Sequence, residues 1–488
     1  MALPVLGVGV IYSPALKPLL EAEPELASVL EVEPETLWTF TGDQAAPYRP
    51  DAAALAGLLE LPQTKLVHGV GFPVGGSRPP DPRHLPLLVD MIEALRSPWA
   101  SEHLAFNEAA GDGGSFATGF LLPPLQSPAG VAAAEASIRS VASRLPVPFA
   151  VETGVNYLQR RPGEMADGAF VAAVAEAAGC GLVLDLHNLW ANQQNGRLRV
   201  EEVLAELPLE RVWEVHIAGG SEFRGYWLDA HSGEVPAPLL DLARRILPEL
   251  PELRAVIFEI LPTFLPRFGF DGVRRQLSVL REIWEQRGTS RRGIDPRLAR
   301  VEPSAGAQEP GFTPREWEDG LGALVVGRPS ASPACAVLAA DPGVDVLRQL
   351  VWNFRSGSLV ETLGLTCRLL LLHGGDPLTR GLFDQFFESV PPQLFASVEA
   401  EAFGAYLACL RPDVPYLDEV LGFELAALRA ALEGKAQLVP FAYEPASLLE
   451  PLSRCRLPEA PIPGRFEVEV TPDVAAHHAV TTGLLSSS

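Results

Sequence analysis

The chain of 488 residues is too long for one ordinary domain, and its 47% apolar content allows a large core and excludes global disorder. Acidic residues outnumber basic ones by 61 to 38, and the formal charge of −23 disfavours nucleic-acid phosphates and anionic membranes as partners. Five scattered cysteines without a CxxC pair suit a reducing cytoplasm, and no apolar run reaches the ~18 residues of a spanning helix.

Met1 to Pro14 is apolar but has no leading basic residues, so it reads as a first buried strand and not as a signal peptide. Eight strand candidates follow a regular rhythm: Leu6–Tyr12, Ser28–Glu33, Lys65–Val70, Trp99–Leu104, Pro148–Thr153, Gly181–His187, Val212–Ala218 and Ala255–Leu261. Their Val, Leu, Ile and Phe content is that of parallel strands buried on both faces. Helical patterns lie between them, at Pro86–Leu95, Val131–Ser143, Ala166–Ala178, Leu239–Ile246 and Gly272–Gln286. Eight β-α units within residues 1–288 predict an α/β fold, a (β/α)8 TIM barrel, with a doubly wound sheet as the less regular alternative. No GxGxxG or P-loop pattern marks a nucleotide site. Residues 289–311 have the composition of a linker. Residues 312–470 predict a smaller, mainly helical domain, with helices at Val346–Val351, Ser358–Leu372, Pro392–Cys409 and Tyr416–Leu432 and a strand at Arg465–Val470. Residues 471–488 predict a disordered tail.

The polar residues fall at the strand ends. Strand two ends in Glu31, Glu33 and Glu35, strand three in His68, strand four in Glu102-His103 and strand five in Glu152. Strand six carries Asp185, His187 and Asn188, strand seven His216, the loop after it Asp229 and His231, and strand eight Glu259. C-terminal strand ends of a barrel converge on one pocket, and period-2 alternation places Asp185 and His187 on one face. His84 is a less secure sixth histidine of the set. One such histidine alone reads as a hydrogen-bonded core or loop residue, but six across the strands point to a shared site. Carboxylates aimed into one pocket repel unless cations neutralise them, and imidazole with carboxylate suits iron, zinc or manganese. The supply of ligands exceeds what one ion needs and predicts two or three metals sharing carboxylates. There is no G-x-S-x-G nucleophile elbow, and Cys180 stands on the N-terminal side of strand six, where a structural role fits it.

Gly7-Val8-Gly9-Val10 and Leu30-Glu31-Val32-Glu33-Pro34-Glu35 resemble the opening of the DUF692 family, the multinuclear non-heme iron-dependent oxidative enzymes of the methanobactin-biosynthesis oxidase type. His68 to Gly71 resembles its "HGVG", Ser101 to Ala105 its "SEHLAW", and Leu184 to Asn188 its "LLLDxNN". Asn192 to Gly196 is similar to "NAxNHG", Glu214 to Gly219 to "EIHLAGH", and Leu228 to His231 to "IDTHG". The resemblance implies a barrel that holds two or three irons and uses O2 to oxidise a residue, in the best-known cases a cysteine, of a ribosomally synthesised precursor peptide. It implies iron ligands at His68, His103, Glu152, Asp185, His216, Asp229, His231 and Glu259. Asn188 matches a family asparagine, and His187 could add a ligand where an Asn is usual. Glu152, Asp185, His216 and Glu259 are the expected catalytic set, Glu152 and Glu259 bridging metals. Thr153, Gly220 and Leu261 replace the family's Asn, His and Asp, which leaves substrate and product open.

Pro412-Asp413-Val414-Pro415-Tyr416-Leu417 followed by Glu424 resembles the "P-x-x-P-Y-L-x-x-x-x-x-x-E" helix of the partner proteins that accompany these oxidases and help hold the peptide. The resemblance implies a partner-like domain fused in the same chain; a generic helical bundle is the plainer reading. Two other functions remain: a redox-neutral metal-dependent isomerase, epimerase or phosphodiesterase on a xylose-isomerase-like barrel, and a metal-free peptide-binding scaffold. The scarcity of Arg and Lys in the strand-end motifs counts against phosphate substrates.

Overall fold

The computed structural model describes residues 3–43, 45–111, 114–287 and 311–472. The expected linker at 289–311, apart from Gly311, and the expected tail at 471–488, apart from its first two residues, lie outside the described residues.

All eight expected strands form, as β1 (Gly7–Ile11), β2 (Val29–Val32), β3 (Thr64–Gly69), β4 (Ala100–His103), β5 (Phe149–Glu152), β6 (Gly181–Asp185), β7 (Val212–Ala218) and β8 (Ala255–Glu259). They pair in parallel and in chain order, and β1 closes the barrel against β8. Gly9 permits the close pairing of β1 with β2: a Cβ there would stand 2.2 Å from the Val29 carbonyl oxygen. Around the strands run α1 (Lys17–Ala22), α2 (Ala52–Leu59), α3 (Leu85–Leu95), α4 (Pro128–Ala142), α5 (Asp167–Ala178), α6 (Leu186–Gln194), α7 (Val200–Glu206), α8 (Ala237–Ile246) and α9 (Leu265–Gln286). Their apolar faces join the outward strand residues in one core that includes Leu16, Ile92, Ile138, Val174, Leu239 and Leu277. A separate apolar plug of Val29, Leu66, Trp99, Ala255 and Ile257 fills the N-terminal end of the strands. Further along the same strands stand Glu31, His68, His103, His216 and Glu259, so the polar residues gather toward the C-terminal ends.

The strand ends also carry hairpins that the periodicity does not show, Trp38–Phe40 with Tyr48–Pro50, Phe106–Gly111 with Gly114–Leu122, and Ser221–Phe223 with Tyr226–Leu228. The remaining chain forms α10 (Pro314–Val325), α11 (Ala334–Leu338), α12 (Pro342–Thr362), α13 (Gly364–Ser389), α14 (Ala396–Leu410), α15 (Leu417–Glu433) and α16 (Pro445–Ser453). Two antiparallel strands, Gln437–Tyr443 and Pro463–Val470, complete it; only the second was expected.

The expected helix Ser358–Leu372 is two helices. Leu363 leaves the helical region (φ −124°, ψ 49°), and α13 starts afresh beneath the buried Glu424 carboxylate, which accepts hydrogen bonds from the Leu365 and Thr366 amides at 2.7 Å each. A carboxylate on the free amides of a helix N-terminus satisfies donors that no intrahelical carbonyl can reach. The motif glutamate of α15 thus holds a helix start.

The hydrophobic cores divide elsewhere than the composition. Trp317, Leu321, Val344, Leu347 and Val351 share a core with Phe106, Phe116, Tyr157 and Leu228 of the barrel loops, whereas Leu359 onward belongs to a second core with Phe386, Phe403 and Leu417. The break between cores falls inside α12. Arg78 reaches from the barrel to Glu318 (3.0 Å) and Asp319 (2.5 Å), and the Trp317 indole donates to the Pro123 carbonyl (2.9 Å).

Candidate metal centre

Parallel register brings the ligand types together. In adjacent strands His103 stands beside Glu152, Asp185 beside His216, and Ala218 beside Glu259. Glu152 lies at the centre: its Oε2 is 2.9 Å from His68 Nε2 and 3.1 Å from His103 Nε2, and its Oε1 is 3.7 Å from His216 Nδ1. Glu259 joins the next pair, 3.3 Å from His216 Nδ1 and 3.5 Å from His231 Nε2. Asp229 Oδ1 is 2.9 Å from His231 Nε2. Three groups of potential ligand atoms lie within 4.8 Å of one another: His68, Glu152 and His216; Glu31, His216 and Glu259; and Asp185, His231 and Glu259. The shared His216 and Glu259 link them.

Each imidazole is oriented from behind. The Gly69 carbonyl can only accept, so its 3.0 Å contact assigns the proton of His103 to Nδ1 and turns Nε2 toward Glu152. His68 is held through Nδ1 by the Ser101 hydroxyl (2.9 Å). His216 directs Nε2 to the Glu31 carboxylate (3.1 Å), which leaves Nδ1 facing Glu152 and Glu259. His231 holds its own place with a left-handed φ of 45°, a backbone state that surrounding contacts must enforce on a non-glycine residue.

Despite the short separations, Glu152 Oε2, Asp185 Oδ2, Asn188 Oδ1, His216 Nδ1, His231 Nε2 and Glu259 Oε2 are all buried without a hydrogen-bond partner. Buried polar atoms are ordinarily paired, and these point at one another, which is the arrangement of a ligand set around cations. The electrostatics agree. Burial together with Asp229, Glu259 and Glu152 drives the Asp185 carboxyl well above its usual range. Burial alone would lower His103, but Glu152 and Glu102 outweigh it and push the imidazole up to about 10. His216 and His231 are likewise raised, against burial, by Glu31 and Glu259 for the first and by Asp229 and Glu259 for the second. Without cations, protons collect on these groups.

Three expectations change. β6 ends at Asp185, and His187 lies in α6, so the two do not share a strand face. Asp185 is the cap of α6: Oδ1 accepts from the Asn188 amide (2.9 Å), which leaves Oδ2 for the pocket. A short polar acid ending a strand is also a helix-start signal, and that signal outranks alternation here. His187 has both nitrogens engaged, Nε2 accepting from the Trp227 indole (3.0 Å) and Nδ1 bonding Asp229 Oδ1 (3.0 Å), so it orients Asp229 and has no free nitrogen for a metal. A Cβ at Gly220 would lie 2.2 Å from Trp227 Nε1 and 2.7 Å from His187 Nε2, so the departures at 187 and 220 fill one space. His84 lies apart, stacked on Phe72 with ring centroids 3.9 Å apart and hydrogen-bonded to the Asp81 carbonyl.

The sequence motifs contain several of the supports without showing what each one holds. Glu214, buried beneath His216, accepts from the Trp99 indole (3.0 Å). Thr153 Oγ1 accepts from the Asp185 amide (3.0 Å). The motif asparagines in α6 and just past its end are clamps: Asn192 Oδ1 accepts from the Asn156 amide (2.7 Å), and Asn195 takes both the amide and the carbonyl of Trp227 (2.7 and 3.0 Å). Beside the centre lies a cavity of about 110 Å³ whose lining includes His103, Asn188 and Asp229 as well as Phe120, Leu122 and Val155.

A family model described as the RiPP precursor modification enzyme MbnB/TglH/ChrH matches residues 6–261. A UPF0276 protein of Streptomyces avermitilis is 33% identical over 275 residues, which is 54% of each chain. One from Anaeromyxobacter sp. is 32% identical over 36% of this chain and 61% of its own length, and one from Chromobacterium violaceum is 31% identical over 47% and 78%. The chain thus spans about half to three fifths of the first two relatives. D-allulose 3-epimerase from Methylomonas sp. is 14% identical, with a TM-score of 0.39 over 59% of this chain and 99% of its own; so distant a likeness carries no functional argument. Among the described residues no helix is long and apolar enough to cross a membrane.

Proposed function

From the premise that this chain belongs to the MbnB/TglH/ChrH family of RiPP precursor modification enzymes, we propose that it uses two or three irons and dioxygen to oxidise a residue, cysteine being the leading candidate, in a ribosomally made peptide. The observation that carries the reading is the set of six buried, unpartnered ligand atoms on Glu152, Asp185, Asn188, His216, His231 and Glu259. Together with His68, His103 and Asp229 they are nine residues, too many for one ion. Glu152 and Glu259, each facing two or more imidazoles, are the natural bridges. The donors are nitrogen and oxygen without thiolate, which fits iron. Iron held here supplies the change of oxidation state that a reaction with dioxygen requires.

The protein's own part is placement and charge. Glu31 holds His216, Ser101 holds His68 and Gly69 holds His103, so each imidazole turns one nitrogen toward the centre, where it can give up its proton to a metal without reorganising. The cavity presents Phe120, Leu122 and Val155 to a substrate side chain and limits water beside His103 and Asp229. Residues 312–470 serve in this reading as the fused partner-like domain that holds the precursor peptide, and the packing of residues 312–351 on the barrel loops supports it. The five cysteines are all free, which suits work in a reducing cytoplasm.

Dioxygen separates this function from redox-neutral isomerisation or hydrolysis, which need a Lewis acid alone. With iron-loaded protein and its precursor peptide, oxygen uptake should accompany a peptide mass change that corresponds to oxidation, and both should stop under anaerobiosis or with zinc in place of iron. Conversion at full rate without oxygen, or with zinc, would overturn the oxidase assignment.

A further inference from the structure

We propose that docking of α12 on the barrel positions Asp229, with Tyr157 as the connecting residue, so that a part of the chain far beyond the barrel helps set metal binding at the centre. The inference rests on the reading of Asp229 as a ligand. The family match ends at residue 261, so nothing in it describes these contacts.

The connection is continuous. Asp341 caps α12 with Oδ1 on the Gly343 amide (2.9 Å), while its Oδ2 accepts from the Gln159 amide in the loop after β5 (2.9 Å). Two residues along, Gly343 meets the same loop. A Cβ there would stand 2.2 Å from the Tyr157 carbonyl oxygen, so only glycine lets the helix sit this close. The Tyr157 side chain runs inward, 2% exposed, and its hydroxyl accepts the Asp229 amide proton (3.0 Å). The Asp229 carboxylate then meets His187 Nδ1 (3.0 Å) and His231 Nε2 (2.9 Å).

The packing follows the same line. Tyr157, Leu158 and Leu228, the residue before Asp229, lie in one apolar cluster with Val344, Val346 and Leu347 of α12. From the barrel side Asn192 and Asn195 hold the two loops, but neither reaches the Asp229 amide. That amide has Tyr157 as its acceptor, and Tyr157 is fixed from outside by α12. Partners behind a ligand commonly change metal affinity ~10–100-fold when removed, and the docking contacts should act at that scale.

The test uses the full chain, stripped of metal and titrated with Co(II) alone, whose visible absorption reports both the number and the geometry of filled sites. Asp229→Ala is the reference and should lose one equivalent. Tyr157→Phe, which removes only the acceptor, should weaken that equivalent ~10–100-fold and alter its absorption bands, with far-ultraviolet circular dichroism unchanged. Gly343→Val, which pushes α12 off the loop, should do the same; if that variant does not fold, Asp341→Ala takes its place. Wild-type titrations for Tyr157→Phe and the docking variant, beside a defect in Asp229→Ala, would overturn the inference and leave the metal centre standing. A wild-type titration for Asp229→Ala would overturn both, by removing Asp229 from the ligand set.

Discussion

Both halves of the molecule bury carboxylates, and the company those carboxylates keep differs. In the C-terminal region Glu399 receives Arg355 Nε (2.6 Å) and the Gln393 amide (2.9 Å), Glu424 receives two helix amides, and Glu318 receives Ser77 and Arg78. Every one faces donors. In the barrel Glu152, Asp185 and Glu259 each keep a buried oxygen with no donor, and the nearest groups are imidazole nitrogens and other carboxylates. Burial is equal, so burial does not mark function. The sign of the partners does: an acid surrounded by donors is part of the scaffold, and acids gathered around a common point without donors are matched to a cation.

The largest effect should come from the second class. Asp185→Ala or His216→Ala should lower metal content and reduce activity by more than the ~100-fold expected from losing an outer partner, while thermal unfolding stays cooperative. Full metal content and activity in both variants would remove the distinction. In the first class Arg355→Ala should leave metal content intact and reduce stability by ~3–5 kcal/mol, because Glu399 would be left buried without its ion partner. Equilibrium denaturation checks this, and loss of metal without loss of stability would reverse the roles assigned to the two regions.

A further difference is a pH dependence that the scaffold acids should not show. In the metal-free centre the His103 imidazole, raised to about 10, carries a proton at neutral pH, and the Asp185 carboxyl is raised as well. A metal must displace these protons. Metal uptake should therefore release protons, and affinity should rise with pH between pH 6 and 9 by about tenfold per unit for each proton displaced. An affinity independent of pH, measured by metal titration in weak buffer with a proton indicator, would show that the centre is already deprotonated.

Much of this centre is legible in the sequence because a barrel converts strand ends into neighbours: the positions of His68, His103, Glu152, His216 and Glu259 follow from eight short apolar runs and one rule of topology. What a strand pattern does not contain is the point where the strand stops. Asp185 reads as one member of an alternating pair, but its own cap bond starts α6 and carries His187 away from the shared face. The supports are less legible still. Tyr157 and Trp227 look like ordinary core residues and Glu214 like one more motif acid, and only tertiary contacts show that they hold Asp229, His187 and His216 in place. The C-terminal region shows the same limit: the Pro- and Gly-rich stretch suggests a boundary near 300, whereas the side chains of α10 and the first half of α12 complete a core with the barrel loops. Glu424 was visible as a motif residue, but its task, starting α13, depends on a helix more than fifty residues before it.

The unpartnered atoms around Glu152 and Glu259 have a purpose if they hold more than one metal ion. Elemental analysis of the full chain, produced with ample iron and handled anaerobically, tests it most directly. At least two irons per chain are expected in the wild type and fewer in His216→Ala, since His216 lies between the Glu152 and Glu259 carboxylates. One metal or none per chain, unchanged by that substitution, would contradict it.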